Sequence, residues 1–195
     1  MDEGAGTVAY DSSLHGNDGT LLGDPTWTTG HEGGALAFDG QDDYVSVPDD
    51  ESLDITGTLT LSAWVYRPEQ ASGRQQGLIG KWTDDYRSYA LYLQGQRAHF
   101  ALSDDGTKAG TVDLRSNSQI AKGAWTHLMA TYDGSVMRLY INGVLDAEQA
   151  ATLNIFAGDA PLTLAVLDPS RPGRGDYFEG LLDEMRVQGI AVSGF

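Results

Sequence analysis

Two tight-turn dipeptides constrain the fold more than any other feature of the sequence. They are Asp133-Gly134 and Asn142-Gly143, nine residues apart, and the segment SVMRLYI between them is rich in β-branched and aromatic types. Asn-Gly and Asp-Gly favour type I′ turns, whose twist matches that of the strands they connect. Residues 125–148 are therefore predicted to form three antiparallel strands. The middle strand would carry Met137, Leu139 and Ile141 on one face, with Arg138 and Tyr140 on the other.

Strand-like segments separated by turn residues recur along the rest of the chain. LTLSAWVYRP is a long one that Pro68 closes, and SYALYLQGQRAHFALSDDG is predicted to be a hairpin over Gly95. ALAFDG and DYVSVP flank an acidic stretch, and LTLAVL and YFEGLLDEMRVQ complete the set. No segment shows a sustained helical period with caps. The pattern predicts an all-β fold, a two-sheet antiparallel sandwich that residues 1–195 form as a single domain.

The strand LTLSAWVY, residues 59–66, is apolar on both faces, which leaves two interpretations open. Either the strand is central and covered on both sides, or its outer face is an aromatic-lined concave surface. Because Trp64 and Trp125 lie inside strong strand patterns, we expect them in the core, and His127 is expected to be a structural hydrogen-bonding residue. Leu59, Leu61, Ala63 and Val65 share one face, and Trp64 and Tyr66 share the other.

The chain is strongly acidic, with a formal net charge of −16. Residues 1–66 contain 13 acids and no Lys or Arg, whereas residues 67–195 contain 15 acids and 12 bases. Phosphate binding depends on clustered cations, so nucleic acid and anionic membranes are unfavourable partners. No apolar run approaches the roughly 20 residues of a membrane helix, so no membrane insertion is expected. Self-repulsion at this charge favours a bound cation such as Ca²⁺, or a salty habitat.

Four segments together resemble a known family. They are DEGAGTVAYDSSLHGNDGTL, GGALAFDGQDDYVSVPDDESLDITGTLTLSAWVY, GAWTHLMATYDGSVMRLYINGVL and YFEGLLDEMRVQGIAVS. In order and spacing they resemble the LamG-like jelly-roll domains of the concanavalin A-like lectin/glucanase superfamily. The resemblance implies a jelly-roll sandwich with one convex and one concave sheet. It also implies an extracellular or cell-surface location, often bacterial, as a monomeric module excised from a larger protein.

The acidic stretch from Asp39 to Asp54 holds seven carboxylates and has two interpretations. A solvated hairpin suits its second half, which contains Asp49, Asp50, Glu51 and Asp54. A metal site suits Asp39, Gly40, Asp42 and Asp43, because Ca²⁺ takes six to eight oxygens from carboxylates and carbonyls. The glycine permits the tight path that lets carbonyls converge.

One loop rarely completes a calcium shell, and Asp183 in LLDEMRV is the second candidate ligand. In a regular strand Asp183 shares a face with Met185, where a carboxylate needs a partner. The resemblance implies a structural Ca²⁺ held by Asp183, with Gly40 and the Asp2–Gly4 region as carbonyl donors. The alternative for Asp183 is a hydrogen bond or an ion pair, for example with Arg186 or Arg138.

A ligand site is predicted around the second carboxylate cluster, in KWTDDYRSYALYL. Sugar binding needs flat apolar platforms together with polar groups for the hydroxyls. Trp82 is the preferred platform, and a solvated loop is the alternative for Asp84 and Asp85. The tripeptide RGD at 174–176 is attributed to turn chemistry. The candidate ligand-binding residues are Trp82, Asp84, Asp85, Tyr86, Arg87 and Tyr177.

Catalysis is not predicted. The spacing Glu-x-Asp-x-x-Glu of glucanase relatives does not occur, no Ser sits in a Gly-x-Ser-x-Gly elbow, and the four His are scattered. The sequence therefore predicts a non-catalytic, carbohydrate-binding module stabilised by Ca²⁺, with a glycan as partner. The alternatives are a protein-interaction or adhesion module that binds a surface protein, and a structural spacer.

Overall fold

The computed structural model describes residues 1–72, 74–170 and 176–192, and nearly all of its regular structure is β-strand. Residues 174 and 175 of the RGD tripeptide lie outside the described residues. One short 3₁₀ helix spans Glu51–Leu53. The strands are β1 (Val8–Ala9), β2 (Gly19–Leu22), β3 (Thr26–Thr29), β4 (Gly34–Asp39), β5 (Tyr44–Val47), β6 (Leu59–Tyr66), β7 (Gln76–Trp82), β8 (Arg87–Gln94), β9 (Arg97–Gly106), β10 (Thr111–Arg115), β11 (Trp125–Tyr132), β12 (Val136–Ile141), β13 (Val144–Ala150), β14 (Leu162–Leu164) and β15 (Glu179–Gln188).

The strands form two antiparallel sheets that pack face to face as a jelly-roll-like sandwich. The first has eight strands in the order β1-β2-β5-β14-β7-β8-β9-β10, and the second has seven in the order β13-β12-β11-β6-β15-β4-β3. Alternate residues of each strand point between the sheets, as strand geometry requires. The interior holds fully buried apolar side chains such as Leu61, Leu91, Phe100 and Leu139. The predicted all-β two-sheet fold is confirmed.

The meander predicted from the turn dipeptides is present as β11, β12 and β13. Asn142 and Gly143 both have positive φ, 50° and 78°, as a type I′ turn requires. The type I′ prediction is wrong for Asp133-Gly134. There a three-residue loop replaces it, in which Gly134 has φ of 92° and the Asp133 carboxylate accepts hydrogen bonds from the backbone N–H of Ser135 and Val136.

The second half of the acidic stretch is not simply a solvated hairpin. The ammonium group of Lys81 is fully buried and forms ion pairs with Asp49 and with Asp54, the latter at 3.2 Å. The carbonyl oxygens of Gly158 and Ala160 accept further hydrogen bonds from it. Two of the clustered acids therefore neutralise a buried cation contributed by β7, and they hold the segment after β5 against the eight-stranded sheet.

Candidate functional site

A trough lined by aromatic side chains crosses the outer face of the seven-stranded sheet. Its volume is about 640 Å³, and its lining comes from β6, β11, β15, the β3–β4 loop and the β12–β13 turn. We call it the aromatic trough and define it by His31, Trp64, Trp125, His127 and Arg186. Its size lies within the roughly 300–1,000 Å³ of typical ligand pockets.

Strand alternation explains why Trp64 faces this trough. Leu61, Ala63 and Val65 of β6 point into the core and are fully buried, so Trp64 and Tyr66 point outward. The neighbouring strand β11 pairs so that His127 lies opposite Trp64 and Trp125 lies opposite Tyr66. The two cross-strand pairs place their ring centroids 5.1 and 5.7 Å apart, which builds a continuous aromatic surface.

The β3–β4 loop adds His31 to this surface. Its imidazole stacks on the Trp64 indole with ring centroids 3.5 Å apart and the planes within 11° of parallel. The same imidazole meets Trp125 edge-on at 6.1 Å. His31 is largely exposed, so the stack presents a flat ring to solvent beside Trp125.

Asp183 holds the loop that carries His31. Its carboxylate is 1% exposed and accepts hydrogen bonds from the backbone N–H of Glu32 at 3.0 Å and of Glu184 at 2.7 Å. Glu184 has a positive φ of 48° at a register shift in β15, which turns the local backbone towards the carboxylate. A Cβ on Gly30 would lie 2.6 Å from an Asp183 oxygen, so this approach requires glycine.

Polar groups converge on the floor and rim of the trough. Arg186 and Glu184 form an ion pair, and the Asn142 side-chain oxygen accepts a hydrogen bond from the His127 backbone N–H at 2.8 Å. Burial, with smaller contributions from Arg186 and His31, lowers the pKa of His127, so its imidazole is neutral at pH 7. A neutral imidazole, a guanidinium and a carboxylate together offer hydrogen-bond donors and acceptors beside aromatic faces.

The predicted platform, Trp82, does not face solvent. It is 8% exposed and clusters with Ala90, Tyr92, Ala101 and Leu167 on the outer face of the eight-stranded sheet. The guanidinium carbon of Arg87 lies 5.3 Å from its ring centroid. A sugar ring therefore cannot stack on Trp82 in this conformation, and we correct its assignment from platform to packed residue.

The other predicted ligand residues lie in two places. Asp84 pairs with Arg87 at 3.0 Å, and its backbone N–H donates to Asp168. Asp85 is exposed, and Tyr86 is 49% exposed in the same loop, so these two could still contact a partner.

Tyr177 is 7% exposed. Its ring lies 6.1 Å from that of Tyr44, and its carbonyl accepts a hydrogen bond from Gln76. It therefore offers no open aromatic face.

The structure brings three of the predicted metal ligands together. Carboxylate oxygens of Asp39, Asp42 and Asp43 all lie within 4.8 Å of one another. Asp43 is buried, and its two oxygens accept hydrogen bonds from the backbone N–H of Asp24 and of Asp39, at 2.7 and 3.0 Å. Burial raises the pKa of Asp43, and the neighbouring carboxylates add to this shift.

Gly40 does not join Asp183, contrary to the predicted ligand set. Asp39 pairs with Glu179 at one end of β15, while Asp183 lies four residues further along that strand. At about 3.3 Å per residue this separation is roughly 13 Å, too far for one calcium shell. Asp2 lies nearer to Asp183, because it accepts a hydrogen bond from the backbone N–H of Gly34, the residue that follows the loop held by Asp183. The structure also gives Asp183 other partners than the predicted Arg186 or Arg138. Its two carboxylate oxygens accept hydrogen bonds from backbone N–H groups instead.

Sequence reasoning expected Trp64 and Trp125 in the core, but both are half-buried and line the trough. The alternation along β6 had left an aromatic-lined outer face as the other interpretation, and the structure has that face. His31 had no local signal, since its position depends on Asp183, 152 residues later in the chain.

The two antiparallel sheets and the aromatic outer face define a lectin-like β-sandwich of the concanavalin A-like class. The Laminin_G_3 family, described as the concanavalin A-like lectin/glucanases superfamily, matches residues 39–194. The chain belongs to this family, as its sequence motifs indicated.

Individual relatives share between about a seventh and a third of their aligned residues with this chain. Pappalysin-1 of Mus musculus is 32% identical in an alignment over 133 residues, which covers 60% of this chain and 8% of pappalysin-1. Domain 4 of AbnA, a GH43 extracellular arabinanase of Geobacillus stearothermophilus in complex with arabinotriose, superposes with a TM-score of 0.67. It is 24% identical, and the match covers 90% of this chain and 82% of that domain. The receptor binding domain of botulinum neurotoxin C/D mosaic serotype has a TM-score of 0.73 at 15% identity, covering 94% of this chain and 46% of that domain.

Within the described residues, no helix combines the length and the apolar character needed to cross a membrane.

Proposed function

We propose that the chain is a non-catalytic, carbohydrate-binding module of an extracellular protein, and that it binds a glycan in the aromatic trough. The observation that carries this proposal is the solvent-facing stack of His31 on Trp64 beside Trp125, within a trough of about 640 Å³. Apolar C–H faces of a sugar pack on flat rings, and its hydroxyls need hydrogen-bonding groups nearby.

The rim of the trough supplies the hydrogen-bonding groups that sugar hydroxyls need. Arg186 can donate and Glu184 can accept hydrogen bonds, and the two side chains form an ion pair in the trough lining. The Asn142 side chain stands at the other rim, on the type I′ turn. Because these groups sit on strands and a tight turn, little ordering is needed when a ligand binds.

The relatives support a sugar as the ligand. The arabinanase domain was solved with arabinotriose bound, and it covers most of this chain at a similar size. Pappalysin-1 and the arabinanase also support a module within a larger extracellular protein. Glu184, a carboxylate of the trough lining, is already engaged by Arg186, which supports binding rather than hydrolysis.

The test is titration calorimetry with arabinotriose, preceded by a glycan array that widens the set of sugars. We expect Trp125→Ala to weaken binding about tenfold, because one lost aromatic contact costs about 1–1.5 kcal/mol. Tyr86→Ala is the matched control, since it removes an exposed aromatic ring from the loop that the sequence predicted.

Three outcomes separate the possibilities. Loss of binding in Trp125→Ala alone supports the trough. Loss in Tyr86→Ala alone moves the site to the Asp85–Tyr86 loop. A folded protein that binds no glycan on the array removes the carbohydrate proposal in favour of a protein partner or a spacer role.

We also propose that Ca²⁺ binds at Asp39, Asp42 and Asp43. Three carboxylates within 4.8 Å supply hard oxygen ligands. A cation would relieve their mutual repulsion, which adds to the effect of burial in raising the pKa of Asp43. Each Asp43 oxygen already accepts one backbone hydrogen bond and keeps a second lone pair for a metal. Asp183 is not part of this site, because it lies four residues along β15 from the residue that pairs with Asp39 and holds the β3–β4 loop instead.

Thermal unfolding in EDTA and in millimolar Ca²⁺, at constant ionic strength, tests this site. A thousandfold excess over the dissociation constant adds roughly 4 kcal/mol, or about 10 °C in Tm for a domain of this size. The rise should vanish in Asp42→Ala and persist in Asp85→Ala, which removes an equally exposed carboxylate elsewhere. An equal rise in both variants would place any calcium outside the Asp39–Asp43 loop.

A further inference from the structure

A second cavity collects positive charge at one end of the sandwich. Its volume is about 420 Å³, and four of the chain's 12 Lys and Arg line it: Arg67, Arg97, Arg115 and Lys122. We call it the cationic pocket. The chain has 28 acids, yet the lining that the described residues form contains no carboxylate. Such a segregation of charge in an acidic protein calls for a counter-charge from outside.

Arg67 is the centre of the pocket and is 0% exposed. Its terminal nitrogens donate to three backbone carbonyls, those of Gly95 at 3.0 Å, Ser72 at 3.3 Å and Ile120 at 3.5 Å. Its Nε is buried without a hydrogen-bond partner, and no carboxylate among the described residues lies within ion-pair distance. A buried guanidinium is costly, and burial lowers the pKa of Arg67, while the more distant carboxylate of Glu179 partly opposes this shift.

Among the described residues, backbone carbonyls are the hydrogen-bond partners of two further cations of the pocket. Lys122 donates to the carbonyls of Glu69 and Ala71, at 2.9 and 2.7 Å, and Arg97 donates to those of Ser116 and Asn117. These contacts fix the positions of the charges without neutralising them. Arg115 is exposed at the end of β10, so its guanidinium is free to turn towards a ligand in the pocket.

Three amides complete the lining, those of Gln94, Gln96 and Gln119. Guanidinium forks and amide N–H groups are the donors that recognise oxyanions such as carboxylate and sulfate. The chain also links this pocket to the trough, because Arg67 directly follows Tyr66 of β6 and Lys122 precedes Trp125 of β11 by three residues.

We propose that the cationic pocket binds the oxyanion of an acidic saccharide, either the carboxylate of a uronic acid or the sulfate of a sulfated sugar. The choice of a saccharide rests on the proposed function, whereas the recognition of an oxyanion rests on the pocket alone. The exposed guanidinium of Arg115 and the glutamine amides donate to the anion, and the buried charge of Arg67, which has only the more distant Glu179 as counter-charge among the described residues, adds long-range attraction.

Titration calorimetry with three probes tests the proposal: trigalacturonic acid, its methyl ester, and a sulfated disaccharide. The ester keeps the sugar rings and removes the charge. We expect it to bind at least tenfold more weakly than the acid, because charge-assisted hydrogen bonds are the strong ones. Whichever of the acid and the sulfated sugar binds more tightly identifies the source of the oxyanion.

Variants locate the site. Arg115→Gln should weaken binding of the acidic probe about tenfold, and it is chosen over Arg67 because an exposed residue can be changed without unfolding the domain. Lys108→Gln is the control, because it removes the same charge from an exposed residue beyond the other end of β9. Raising the salt concentration should weaken binding in the wild type more than in Arg115→Gln.

The proposal is overturned if the ester binds as tightly as the acid, if neither anionic probe binds below about 10 mM, or if both variants weaken binding equally. The proposal that a glycan binds in the aromatic trough is tested independently of the cationic pocket. Acid binding that depends on Arg115 but survives in Trp125→Ala supports the pocket, even if no neutral glycan binds and the proposed function fails.

Discussion

We expect Lys81→Met to lower the free energy of unfolding by about 3 kcal/mol. The side chains are similar in length, so the change removes the ammonium group and little volume. It leaves Asp49 and Asp54 as two carboxylates without their shared cation, and it leaves the carbonyls of Gly158 and Ala160 without a donor.

The magnitude follows from the burial of the partners. Removing one member of a buried ion pair costs about 3–5 kcal/mol, since the other charge stays behind uncompensated. Here the side chains of Asp49 and Asp54 are 37% and 30% exposed, so water can take over part of the lost interaction. The lower end of that range is therefore expected.

Urea unfolding followed by tryptophan fluorescence measures the effect. With an m-value of about 2 kcal/mol/M, a loss of 3 kcal/mol lowers the midpoint by about 1.5 M. The triple variant Lys81→Met, Asp49→Asn, Asp54→Asn should recover part of the loss, because it also removes the stranded charges. Glu51→Gln, an exposed acid in the same segment, should change the midpoint by less than about 0.3 M.

A midpoint shift below about 0.5 M for Lys81→Met would refute the reasoning, provided that the m-value is unchanged. So would a triple variant that is less stable than the single one. Either result would mean that the two acids are solvated in the native state and that the buried ammonium is held by carbonyls alone.

Two further predictions concern backbone packing and pH. Gly77→Ala should destabilise the fold by about 3 kcal/mol in thermal unfolding, because its Cβ would overlap the backbone at Val166, whereas Gly57→Ala, with open space around it, should be nearly neutral. His127 should titrate below its usual pKa of about 6.5 in an NMR pH series, since burial and nearby positive charge oppose protonation. The stability from its neutral form is present above about pH 6.5 and is lost as pH falls towards the folded pKa, and a titration at or above 6.5 would contradict this.

The fold followed from local patterns because strands and turns have short-range signatures. The Asn142-Gly143 turn and the alternation along β6 each depend on a few neighbouring residues, and the structure has both. The Asp133-Gly134 turn differed because the Asp133 side chain caps the loop itself, and dipeptide preferences do not include that contact.

The candidate site was harder to predict because its contacts are long-range. Trp82 is buried by packing that includes Leu167, 85 residues later, and no local pattern reveals such a cover. Asp183 was singled out as a carboxylate that needs a partner, with Ca²⁺ or an arginine in view, and the partners that the structure gives it are backbone N–H groups of the β3–β4 loop and of its own strand. The carboxylates of the Asp39–Asp43 loop did converge, because a tight loop brings near neighbours together by itself.

All of the β3–β4 hairpin except its last residue, Asp39, precedes the family match, yet β4 is hydrogen-bonded to β15 in the seven-stranded sheet. A fragment that starts at the family boundary would lose β1 to β4 and leave the backbone of β15 unpaired along one side. Such an open strand edge is a template for pairing with another chain. Expression of the matched region alone should therefore give an aggregating protein without His31, so a fragment made for binding studies needs to begin before β1.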